Sequence, residues 1–118
     1  MANSTLVLIT RSPYGLEEAF AGLRLALAMG VNGMRTSVVM VEDGVYNALA
    51  TQKPEVVGMP SNIDATKELY DFDIPVYVAS EDLAKRGIKE SALFEGLKII
   101  TSAKVRDLVK EHDVVTTF

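Results

Sequence analysis

Short runs of contiguous apolar, β-branched residues alternate along the chain with stretches in which apolar residues recur every three or four positions. The first run is Thr5-Leu-Val-Leu-Ile-Thr10. Its unbroken apolar character suits a strand covered on both faces, as in a parallel sheet. Arg11-Ser-Pro-Tyr-Gly15 follows and predicts a turn, with Ser12 placed to cap a helix and Pro13 suited to its first turn. Glu17 and Glu18 fall in that turn, where the helix dipole favours negative charge. Leu16, Phe20, Leu23 and Leu27 then keep helical spacing, and Gly30 is the expected terminator.

The same reading continues to the end of the chain. Strands are predicted at Thr36–Val41, Ile74–Val78, Leu97–Ile100 and Asp113–Phe118. A short helix is predicted over Val45–Ala50, and Asn62 is placed to cap one that runs through Leu69 and Tyr70. Ser80 is the expected cap of a brief helix closing at Gly87. Thr101 or Ser102 starts the last helix, with Val105, Leu108 and Val109 as its apolar positions. Residues 51–61 contain Pro54, Gly58 and Pro60 and read as an irregular excursion. Strand and helix alternate throughout, so the expected fold is a three-layer α/β/α sandwich with a five-stranded, mostly parallel sheet. With no repeat or linker in 118 residues, one domain over 1–118 is expected.

Composition narrows the function. A net charge of -4 and a pI near 4.9 argue against nucleic-acid and anionic-membrane partners. The apolar runs are too short to span a bilayer, and the N-terminus lacks the pattern of a signal peptide, so a cytoplasmic location is expected. There is no cysteine, which excludes a disulfide scaffold and any thiol chemistry by this chain. One histidine and no cysteine leave few zinc ligands, and phosphate-loop, dinucleotide and nucleophile-elbow motifs are missing. No metal or cofactor is expected.

Sites in open α/β sheets gather at the carboxyl ends of the strands. Here those ends are Arg11–Gly15, Glu42–Val45, Ala79–Ser80 and Thr101–Ser102. Arg11, Tyr14, Asp43 and Ser80 are the candidate pocket lining. Each also has a structural reading: an ion pair of Arg11 with Glu17, Glu18 or Asp43, packing for Tyr14, an Asp-Gly turn and cap for Glu42 and Asp43, a cap for Ser80. His112, near a helix end, is expected to be a solvated terminal residue.

Several segments together resemble the DsrE/DsrF-like family, and especially its TusC/DsrF branch. They are Glu42-Asp-Gly-Val-Tyr46, Gln52-Lys-Pro54, Val76-Tyr-Val-Ala-Ser80 with Leu83-Ala-Lys-Arg-Gly87, and His112-Asp-Val-Val-Thr-Thr-Phe118. The resemblance implies small α/β subunits that assemble as trimers or hexamers, either of copies or with related DsrE-type subunits, in sulfur relay. It also implies that a persulfide-forming cysteine stands at the end of the third strand in the carriers. The matching position here is Ala79. Two readings follow: a non-catalytic subunit providing oligomer interfaces in a sulfur-relay assembly, or a homo-oligomeric small-molecule-binding protein or enzyme of unrecognised type using the strand-end pocket.

Overall fold

The computed structural model describes residues 3–12, 18–50 and 62–118. The predicted excursion at 51–61, the first turn of the first helix and Tyr14 lie outside the described residues. Five strands form one sheet: β1 (Ser4–Ile9), β2 (Arg35–Met40), β3 (Val76–Ala79), β4 (Lys98–Ile100) and β5 (Val114–Thr117). The helices are α1 (Glu18–Val31), α2 (Asn62–Asp71), α3 (Ser80–Lys85) and α4 (Ser102–Glu111), with 3-10 helices at Glu42–Ala48 and Glu90–Ala92.

The strand order is β4-β3-β2-β1-β5 and every pairing is parallel. From β1 the chain steps outward to β4, then returns across the sheet to lay β5 beside β1. Right-handed crossovers put helices on one face while the chain steps one way and on the other when it reverses. The two cores follow this rule. Val7, Ile9, Val38, Met40, Val76 and Val78 are buried with Ala19, Leu23 and Ala26 of α1 and Ala65 and Leu69 of α2. On the opposite face Leu6 and Val39 are buried with Leu108 of α4, and Val105 and Ile100 pack against them. Each fully buried leucine contributes about 1.5–3 kcal/mol relative to exposure. These two cores on either side of the sheet give three layers.

The short helix expected over Val45–Ala50 is a 3-10 helix that starts earlier, over Glu42–Ala48, and two other helix ends also differ from expectation. Helix α1 runs past Gly30 to Val31 and is closed by Gly33, whose φ of 89° is open to glycine. Gly33 N donates to the Gly30 carbonyl and Met34 N to the Met29 carbonyl, the paired bonds of a Schellman ending. Gly30 instead faces Ile74, whose Cδ1 would lie 2.3 Å from an added Cβ. Ser80 does not cap α3. It is the helix's first residue, the N-cap is Ala79, and no side chain caps there. Helix α4 behaves as read: Thr101 is its N-cap and accepts a hydrogen bond from Lys104 N at 3.3 Å.

Candidate functional site

Polar contacts lace the carboxyl ends of the strands, each running from one loop to the next. The first tie joins β1 to the loop after β2. Asn47, fully buried, donates from Nδ2 to the Arg11 carbonyl at 2.8 Å and to the Gly44 carbonyl at 2.9 Å. Gly44 lies so close to β1 that an added Cβ would stand 1.8 Å from the Ile9 carbonyl oxygen. Only glycine fits between two backbones at that approach.

The second tie joins β2 to β3. Glu42 turns with a φ of 52°, and its N–H donates to Asp82 Oδ2 at 2.8 Å. Arg86 then clamps the same loops. Its Nε donates to Asp43 Oδ1 at 3.0 Å and its Nη1 to the Asp82 carbonyl at 3.2 Å. Asp43 is therefore the partner of an arginine 43 residues away, not a helix cap; the 3-10 helix beginning at Glu42 has Val41 as its N-cap and no side-chain cap.

The third tie joins β3 to β4. Ser102 N donates to both Glu81 carboxylate oxygens, at 2.9 and 3.0 Å, and Ser102 Oγ donates to Oε2 at 2.6 Å. Ser80 Oγ adds a bond to Oε1 at 2.8 Å. These donors favour the ionised form, so the Ser102 hydroxyl and amide, with Ser80, hold the Glu81 carboxyl down at about 2. Glu81 thus occupies the N-terminus of α4, the place where free helix amides attract an anion.

Arg11, Asp43 and Ser80 lie along this one edge, each already engaged: Arg11 Nε is 3.2 Å from Glu18 Oε2, Asp43 pairs with Arg86, and Ser80 bonds Glu81. Ala79 ends β3 opposite Ile100, with 2% of its surface exposed. Strand alternation sets its methyl on the face shared with Tyr77. The sequence reading passed over Asn47, Glu81, Asp82 and Arg86. Their one local signal was the acidic pair in the first turn of α3, where the dipole favours negative charge.

The opposite end of the sheet has open space. A cleft of about 410 Å³ is lined by Arg35, Ser37, Phe72, Tyr77, Lys104 and His112, among others. His112 is not solvated: it is 8% exposed. Its Nδ1 lies 2.7 Å from the Leu108 carbonyl, and because a carbonyl only accepts, Nδ1 carries the proton. The ring thereby answers one of the carbonyls that the last turn of α4 leaves unpaired, and burial follows from that bond. No cluster of three or more metal-ligating side chains occurs among the described residues, and no helix among them is long and apolar enough to cross a membrane.

The sequence profile of the DsrE/DsrF-like family matches residues 3–118. An uncharacterized protein of Methanocaldococcus jannaschii is 37% identical over 95% of this chain and 96% of its own length. The intracellular sulfur oxidation protein DsrF of Allochromatium vinosum is 27% identical, covering 92% of this chain and 90% of that one. The crystal structure of the ychN protein from E. coli superposes with a TM-score of 0.84 at 27% identity, covering 98% of this chain and 99% of that chain.

Proposed function

The chain belongs to the DsrE/DsrF-like family, and from that premise we propose that it is a non-catalytic subunit of a sulfur-relay assembly, supplying surface while a related chain carries the persulfide. The observation that carries this reading is Ala79. A persulfide forms when a cysteine thiolate attacks a sulfane sulfur, displaces its donor and keeps the sulfur atom. The resemblance assigns that cysteine to the end of β3, and here a buried methyl group stands there with no lone pair to attack with. The chain has no cysteine elsewhere to take over.

The satisfied polar edge supports the same reading. Glu81 fills the N-terminus of α4 and Asp82 takes the Glu42 amide, so among the described residues these two donors are already bonded to the chain's own carboxylates. In this reading Arg11, Asp43 and Ser80 shape the surface shown to the partner and touch no substrate. The chain works as one folded unit over 1–118, in the cytoplasm, within a trimer or hexamer that includes cysteine-bearing relatives.

Light scattering on the purified chain, alone and mixed with a cysteine-bearing DsrE-type relative, tests the proposal. A mixed assembly of defined mass is expected. A stable assembly of this chain that ignores such relatives overturns it.

A further inference from the structure

The cleft at the amino ends of the strands is built from three parts of the chain. One is the sheet face that α4 covers: Arg35 and Ser37 share that face of β2 with Val39, and register sets Tyr77 of β3 beside Val39. The second is a face of α4, where Lys104, Leu108 and Glu111 keep helical spacing. The third is the turn after α2, with Phe72 53% exposed and Asp73 at a φ of 58°. At about 410 Å³ the space falls in the range of small-molecule pockets, which begins at about 300 Å³.

His112 brings a buried acceptor to this space. Its residue is 8% exposed and borders the cleft. With the proton held on Nδ1 by the Leu108 carbonyl, Nε2 is left as a lone pair. That atom is buried and has no hydrogen-bond partner among the described residues. A buried acceptor without a donor destabilises the fold until something supplies one. The charges of the lining are unanswered too. Arg35 and Lys104 form no ion pair with a carboxylate among the described residues, and Asp73 and Glu111 form none with a cation.

We propose that this cleft binds a small zwitterion with an apolar side chain, of which a free apolar α-amino acid is the simplest case. The class of ligand follows from the lining. Two cations and two carboxylates around one space work against a plain anion or a plain cation, and are complementary to a molecule that carries both signs. Its carboxylate is met by Arg35 and Lys104. Its ammonium, which can only donate, answers Glu111 and the neighbouring Nε2 of His112, which can only accept. Its side chain covers the open ring of Phe72, beside Leu108. The inference is independent of the sulfur-relay reading, because the residues assigned to that reading lie at the carboxyl ends of the strands.

Nitrogen NMR of the full chain tests it, because a single histidine gives one imidazole to follow. The measurement is made in mildly alkaline buffer, where the ring is neutral. L-phenylalanine is the probe, with hydrocinnamate, which lacks the ammonium, and phenethylamine, which lacks the carboxylate, beside it. L-phenylalanine is expected to move the Nε2 resonance saturably, in the direction of a nitrogen that accepts a hydrogen bond. Each analogue is expected to bind about tenfold more weakly, the effect of losing one charged hydrogen-bonding group. Lys104→Ala, at an exposed position, is expected to weaken L-phenylalanine binding with an unchanged far-UV spectrum. No saturable shift, binding that leaves the Nε2 resonance in place, an analogue that binds as tightly as the amino acid, or binding that Lys104→Ala leaves unchanged overturns the proposal.

Discussion

At the carboxyl ends of the strands, backbone and hydroxyl donors meet carboxylates and an asparagine from neighbouring loops; at the amino ends the chain leaves a cleft of about 410 Å³ bordered by Arg35, Lys104 and the buried His112. The difference runs against the habit of parallel sheets, which leave their carboxyl ends open for ligands because loops and helix N-termini converge there. Here, among the described residues, Asn47, Asp82 and Glu81 answer the donors and acceptors of the neighbouring loops. Glu81 and Asp82, adjacent in sequence, fan out to the loops on either side, one toward α4 and the other toward β2. An edge closed in this way is suited to holding a fixed shape for a partner.

If the carboxyl edge is the rigid end, disturbing it costs most. Gly44→Ala drives a methyl into the Ile9 carbonyl and forces two backbones apart, a cost of about 3 kcal/mol or more. Chemical denaturation is the measure, and a loss under 1 kcal/mol would mean that the loop yields and the edge is soft. Asn47→Ala removes the bonds to the Arg11 and Gly44 carbonyls and strands both beneath the loop, costing about 2 kcal/mol by the same measurement. At the amino ends, His112→Ala removes a single bond, to the Leu108 carbonyl, beside a cleft that water can enter. About 1 kcal/mol is expected, less than for Asn47.

The smallest effect is read through pH. In the folded chain the Glu81 carboxyl titrates at about 2, below its usual 4.5, so its bonds to Ser102 and Ser80 add stability above pH 4.5. That contribution is lost as pH falls from 4.5 toward 2, when the unfolded chain takes up the proton first. Melting temperatures across this window should fall further for the wild type than for Glu81→Gln, which has no such proton to bind. Parallel curves for the two would remove Glu81 from the network.

The sequence disclosed what is local and missed what is distant. Contiguous β-branched runs marked all five strands, and the Thr101 cap is visible because its hydrogen bond reaches only three residues. The order of the strands is not written in any local pattern, and neither is the return of the chain that puts α4 on the opposite face. Arg86 to Asp43, Asp82 to Glu42 and Asn47 to Arg11 span 43, 40 and 36 residues, so they exist only once the strands are aligned. His112 failed for a related reason. Its position near a helix end suggested solvent, whereas the Leu108 carbonyl one turn back draws the ring inward. Gly30 and Gly33 are three residues apart, and only the backbone geometry tells which of them ends α1.

The central claim is that this chain supports sulfur transfer without carrying sulfur. It is tested most directly by following labelled sulfane sulfur from a donor to an acceptor, with the cysteine-bearing relative and this chain supplied separately and together. The account predicts no label on this chain, none passed on by it alone, and faster transfer by the relative once the two are mixed. Label accepted and handed on by this chain in isolation, or transfer by the relative that is indifferent to its presence, would contradict it.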